Sequence, residues 1–132
     1  MSNNHIGKMT RSKEDYLKVM LELSGDTGIR TSDIANVLGI SRASVSSMMS
    51  VLKEEGYIAK EKYGTITLTE SGHKVAVNIK RKYDLLKAFF SDILGVETDT
   101  AAGDACRIEH LISLKTTEKI EQQLQKMSYV QN

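Results

Sequence analysis

The chain has 132 residues, 40% of them hydrophobic and 27% charged, with 18 Lys and Arg against 17 Asp and Glu. That length fits one domain or two small subdomains, and the balanced charge excludes a chain held open by self-repulsion and gives no bulk attraction for nucleic acid. A single Cys excludes an internal disulfide and fits a reducing compartment, while the absence of proline suits long helices joined by short turns.

Residues 1–11 are expected to be a flexible tail. Residues 1–10 are polar, so no signal peptide is expected, and no apolar run is long enough to span a membrane. A cytoplasmic protein is the expectation. A first helix starts near Ser12, taken as its N-cap, with Glu14 and Asp15 in the first turn where the dipole favours acids. Tyr16, Val19, Met20 and Leu23 fall at helical spacing and mark a buried face. The turn string Ser24-Gly25-Asp26-Thr27-Gly28 ends that helix. Thr31 or Ser32 can cap a short helix carrying Ile34, Ala35, Val37 and Leu38, and Gly39 suits the left-handed residue that closes one. Ser41 then caps a helix running to about Glu55, with Val45, Met48, Met49 and Leu52 as its inward stripe. Two helices around a Gly-containing turn, the second longer, form either a helix-turn-helix or an ordinary helical hairpin.

The next residues favour the former. Gly56 stops the helix, and residues 57–61 and 65–68 make two short strands around the turn Lys62-Tyr63-Gly64. A hairpin directly after a helix-turn-helix is a wing. Thr69 then caps a long helix bearing Val75, Ile79, Tyr83, Leu86, Phe89, Phe90 and Ile93, as far as Gly95. A small winged domain cannot cover that surface. It packs on the chain's own C-terminal helices or forms a twofold subunit interface, with Leu86, Phe89, Phe90 and Ile93 as main contributors. Thr100 can cap a helix through about Ile112. A last helix spans about 117–127, with Ile120, Leu124 and Met127 inward.

With its apolar stripe turned inward, the second motif helix presents Arg42, Ala43, Ser44, Ser46, Ser47 and Ser50 outward. Small polar side chains let the backbone approach DNA, hydroxyls reach phosphates or base edges, and Ala43 can meet a thymine methyl. Arg42 is the one side chain there able to make a strong bidentate contact. The same serine-rich face could simply be solvated. Lys53, Lys60 and Lys62 would meet phosphates around the wing, and Ser32 and Ser41, at the two helix starts, complete the candidate contacts.

Further along, Cys106, Glu109 and His110 stand at i, i+3 and i+4 on an expected helix and so share one face. Thiolate, carboxylate and imidazole are competent ligands for a divalent transition metal. The alternative is a buried Cys beside a surface Glu and His. No His-Glu-x-x-His pair, Gly-rich phosphate loop or Ser-His-acid pattern is present, so no enzyme and no small-molecule substrate are expected.

Several strings, taken in this order, are specific together: Glu14-Asp15-Tyr16-Leu17, Ser32-Asp33-Ile34-Ala35, Leu38-Gly39-Ile40-Ser41, Ala43-Ser44-Val45-Ser46, Leu68-Thr69-Glu70-Ser71-Gly72, Leu94-Gly95-Val96, and 104–110 with Ser113 beyond. Over about residues 12–127 the chain resembles the diphtheria toxin repressor family of iron- and manganese-dependent repressors, which includes the manganese transport regulators. The resemblance implies a homodimer that binds a palindromic operator on double-stranded DNA when loaded with metal. In length the chain looks like the manganese type, without the extra C-terminal SH3-like domain of the iron type.

The resemblance also assigns ligands. Glu109 and His110 match positions common to both branches, Cys106 matches the iron type, and Asp15 matches the manganese type. Lys18 and Tyr83 stand where family ligands would be, and Lys87 replaces a nearby acid. The expectation is therefore one site per subunit, from Asp15, Cys106, Glu109 and His110. Thiolate is the softer donor, which favours iron(II) over manganese(II). The expected fold is mainly α with a small β-wing: a winged helix-turn-helix over 12–72, then a helical dimerisation and metal-binding domain over 73–132. The expected function is a metal-activated repressor controlling metal homeostasis genes. The competing expectation is a metal-independent winged-helix regulator that senses a small molecule or the redox state of Cys106.

Overall fold

The computed structural model describes residues 8–25, 28–61 and 64–131. The expected tail over 1–7, the turn residues Asp26 and Thr27, and Lys62 and Tyr63 at the wing tip lie outside the described residues. The chain forms two compact units, Met1–Val77 and Asn78–Asn132.

In the first unit, α1 spans Arg11–Leu23, α2 Thr31–Leu38 and α3 Arg42–Glu54. The cap of α1 is Thr10 rather than Ser12. Thr10 is extended, and its hydroxyl accepts the Lys13 N–H at 3.2 Å. Thr31 and Ser32 lie inside the first turn of α2 instead of capping it; the Asp33 carboxylate reaches back to the Arg30 N–H at 3.2 Å. Gly39 closes α2 at φ 68°. Ser41 caps α3, its Oγ accepting the Ser44 N–H at 3.1 Å.

The three helices close over one apolar core. Tyr16, Leu17 and Met20 come from α1, Ile34 and Ala35 from α2, and Val45, Met49 and Leu52 from α3. Burial pushes the Tyr16 phenol above its ordinary value. Two short strands, β1 (Ile58–Lys60) and β2 (Ile66–Leu68), pair antiparallel with Ala59 opposite Thr67. Ile29 adds a bridge to Ile66 on the other edge of β2, with N–H···O distances of 3.3 and 2.8 Å. Ile29, Ile58 and Ile66 thereby seat the wing on the helical core. This answers the marginal stability of an isolated hairpin.

The start of α4 (Glu70–Ala88) is pinned to the end of α3. The Thr69 hydroxyl donates to the Gly56 carbonyl at 2.6 Å and accepts the Gly72 N–H at 3.2 Å, while the Thr69 N–H reaches the Tyr57 carbonyl at 3.1 Å. Gly72 is buried in this contact. A Cβ there would stand 2.0 Å from the Tyr57 carbonyl oxygen.

In the second unit the long helix does not continue as α-helix to Gly95. It ends at Ala88 and becomes a π-helical turn over Phe89–Ile93, closed by Leu94 N–H to the Phe89 carbonyl (3.2 Å), with Gly95 at φ 72°. Glu97 caps α5 (Thr98–Ile108), accepting from the Asp99 N–H and the Thr100 hydroxyl, so Thr100 lies within the helix. Ile112 lies in a turn beyond α5. α6 (Leu114–Gln131) starts before Thr117, with the Ser113 hydroxyl accepting the Thr116 N–H at 3.1 Å. Ile79, Leu86, Ala101, Ala105, Glu109 and Thr117 are buried, and Phe89 and Phe90 meet edge to face at 6.2 Å. Lys82 donates to the Ile112 carbonyl at 2.9 Å, and Arg81 pairs with Glu121, tying α4 to α6 and the turn before it. Among the described residues, no helix is long and apolar enough to cross a membrane.

Candidate DNA and metal sites

The outward face of α3 is as short-chained as its sequence implies. Arg42, Ala43, Ser44, Ser46, Ser47 and Ser50 are all exposed, while Val45, Met49 and Leu52 are buried. One of these serines, Ser44, is committed to the helix start, since the Ser41 hydroxyl donates to the Ser44 hydroxyl at 3.0 Å as well as capping its N–H. Ser50 donates to the Ser46 carbonyl at 3.3 Å. Arg42 is the first residue of α3, and its guanidinium is the long cationic group on this face. Lys53 and Lys60 flank one cleft between α3 and β1, together with Met49, Ser50 and Ile58. Two exposed ammonium groups at the junction of helix and wing suit a phosphate backbone. Ser32 is half-buried in the first turn of α2, and Lys62 lies outside the described residues.

Sequence reasoning missed an ion pair behind this face. Lys13 and Glu55 meet at 2.9 Å with side chains 10% and 7% exposed. They are 42 positions apart, so no local period joins them. The available signal was the phase of α1: Lys13 lies on the same stripe as Tyr16, Leu17 and Met20, where a charge must find a partner.

The proposed metal ligands are divided by the fold. Asp15 is half-buried on α1 in the first unit. In the second, Cys106 is exposed near the end of α5, Glu109 is fully buried, and His110 is half-buried in the turn beyond. The three do not form one uniform helix face, because α5 ends at Ile108 and Glu109 continues the inward stripe of Ala101 and Ala105. Among the described residues, no three His, Cys, Asp or Glu side chains are gathered as a set that could hold a metal ion. The donor chemistry nonetheless fits a divalent transition ion: a thiol, two carboxylates and an imidazole, one of the carboxylates, Glu109, withdrawn from water. Tyr83 and Lys87 are half-buried one helical turn apart on α4, and Lys18 is half-buried on α1. The dimer candidates divide as well. Leu86 is 2% exposed, already covered within the chain, whereas Phe89, Phe90 and Ile93 remain partly exposed.

Residues 8–66 match the family described as the iron dependent repressor, N-terminal DNA binding domain, and residues 69–130 match its metal binding and dimerisation domain. The chain belongs to the iron-dependent repressor family. Among similar family proteins is an HTH-type transcriptional regulator of Methanocaldococcus jannaschii, 34% identical over 115 residues, 86% of this chain and 92% of the relative. The HTH-type transcriptional regulator MntR of Bacillus subtilis is 33% identical over 112 residues, 84% of this chain and 78% of the relative. The solved structure of the manganese regulator SloR superposes with a TM-score of 0.76 at 33% identity, covering 89% of this chain and 55% of that one. The chain thus spans about half the length of that solved structure. Like other iron-dependent repressors, it joins a winged DNA-binding domain to a helical metal-binding and dimerisation domain.

Proposed function

We propose that the chain represses metal homeostasis genes in the cytoplasm, binding a palindromic operator as a homodimer loaded with one divalent ion per subunit. The proposed ligands are Asp15, Cys106, Glu109 and His110, with iron(II) preferred to manganese(II). The observation that carries this reading is the fully buried Glu109 carboxylate, one residue from half-buried His110 and one helical turn from Cys106, inside the segment that matches the metal-binding domain. The similar SloR is a manganese regulator; the thiol of Cys106 is what argues for iron here. A bound divalent cation would supply positive charge to balance carboxylate, thiolate and imidazole. The chain's own residues would do the rest: Glu109 and His110 would hold the ion in the helical half, and Asp15 would hold it on α1. That restricts the DNA-binding half to fewer arrangements, a differential contact that shifts a population. Arg42 and the small residues after it then face the groove, and Lys53 and Lys60 the phosphates.

The test starts from randomised duplex DNA, selected with iron(II)-loaded protein under anaerobic conditions. The selected sequence should carry a dyad. Titration should give one ion per subunit, tighter metal-dependent DNA binding with iron(II) than with manganese(II), and loss of the response in Asp15→Ala and Cys106→Ala. Two tight ions per subunit, or full metal response in both variants, defeats the reading. DNA binding that ignores a chelator but is lost on oxidation favours instead the redox reading of Cys106, whose exposure leaves it open to oxidants.

A further inference from the structure

Lys13 is a charged residue on the inward stripe of α1 and only 8% exposed. Its ammonium lies 2.9 and 3.0 Å from the two carboxylate oxygens of Glu55 and 3.0 Å from the Lys8 carbonyl. Glu55 is the residue that closes α3. One buried cation therefore joins three segments of the first unit: the chain entering α1, the first turn of α1, and the far end of the helix that presents the DNA face. An exposed pair in this position would fluctuate with solvent and fix little. A buried pair holds its geometry, because parting it strands a charge away from water. The apolar core shared by α1 and α3 is held by non-directional packing. The buried ion pair adds a specific tie between the two helices, because drawing them apart would leave its charges buried and separated. Asp15 is two residues further along the same turn of α1.

We propose that Lys13 is a positioning residue: through its pair with Glu55 it makes the DNA-presenting helix α3 follow α1, so that ion capture at Asp15 is felt at the DNA face. The inference rests on the proposed role of Asp15. It adds a transmission step that the ligand set alone does not contain.

The experiment uses the full chain with Lys13→Met, Glu55→Gln, the double variant Lys13→Met/Glu55→Met, and Lys13→Arg. The probes are iron(II) added anaerobically and the duplex selected by the iron-loaded parent. Three affinities are read: iron for protein alone, DNA with chelator, and DNA with iron. Amide exchange of residues 45–56 is monitored with and without iron. In the double variant two apolar side chains fill the vacated site, so the fold is kept. There, iron affinity should change less than about threefold and chelated DNA affinity should hold. The gain in DNA affinity on adding iron should fall at least tenfold, and iron should no longer protect the last turn of α3. Lys13→Arg should restore both. A double variant with the parent's full gain makes the pair merely structural and overturns the proposal. A parent with no gain on iron overturns the proposed function and this inference with it, whereas equal gains in parent and variants overturn this inference alone.

Discussion

Gly72 shows how one missing methyl group can set the junction between two elements. The Thr69 N–H bond to the Tyr57 carbonyl draws the start of α4 against the chain leaving α3, and a Cβ on Gly72 would sit 2.0 Å from that carbonyl oxygen. Backbone cannot rotate away as a side chain can. Gly72→Ala should therefore cost about 3 kcal/mol or more, the top of the overpacking range, read as a lowered urea midpoint. Arg42 makes the contrasting case, since it is exposed at the first position of α3 and touches no core. Arg42→Ala should leave thermal unfolding unchanged while weakening binding to the selected operator by about 1–3 kcal/mol. An operator affinity equal to the parent's removes Arg42 from the interface.

At the scale of elements, residues whose local chemistry offers one solution were legible in the sequence. Gly39, Ser41 and Thr69 have no rival at their helix ends, and each does in the structure what its type suggests. Ends with several candidates were not. Thr10 competes with Ser12, and Glu97 with Thr100, and only the closing geometry of the chain chooses between them. The π-helical turn at Phe89–Ile93 leaves no mark on a 3.6-residue period, and it is where the long helix closes. In the same way the Cys106, Glu109 and His110 spacing was visible but their unequal burial was not, because α5 ends at Ile108 and the helical spacing does not carry on through the turn beyond it. Thr69 offers the element-scale test. Its hydroxyl both donates to Gly56 and accepts from Gly72, so Thr69→Ala should cost about 1–2 kcal/mol in thermal or urea unfolding. Thr69→Ser, which keeps both bonds, should cost little.

For the molecule as a whole, both units leave apolar surface uncovered, the first at Val37, Ile40, Val51 and Val77. The first buries a continuous apolar cluster drawn from three helices and the wing. The second leaves Leu94 at 59%, Leu111 at 83% and Leu114 at 51% exposed, with Phe89, Phe90 and Ile93 only partly covered. In a segment that matches a dimerisation domain, we propose this uncovered apolar surface of the second unit as the face for a second copy. Sedimentation at micromolar protein should show a dimer, and Phe90→Glu should shift it toward monomer; a parent that stays monomeric in moderate salt contradicts this. The short-chained face of α3 carries a different consequence, one for evolution and engineering. Ser46 and Ser47 are exposed and stand outside the cap formed by Ser41 and Ser44. Neither side chain is buried in the fold, so, with α3 as the proposed DNA face, they are open positions at which the preferred base sequence can drift with little effect on stability. A single Ser47→Arg change should move the sequence recovered from a random pool toward guanine at one step of each half-site, with the same unfolding temperature. A protein of this design can acquire new target genes faster than it can acquire a new fold.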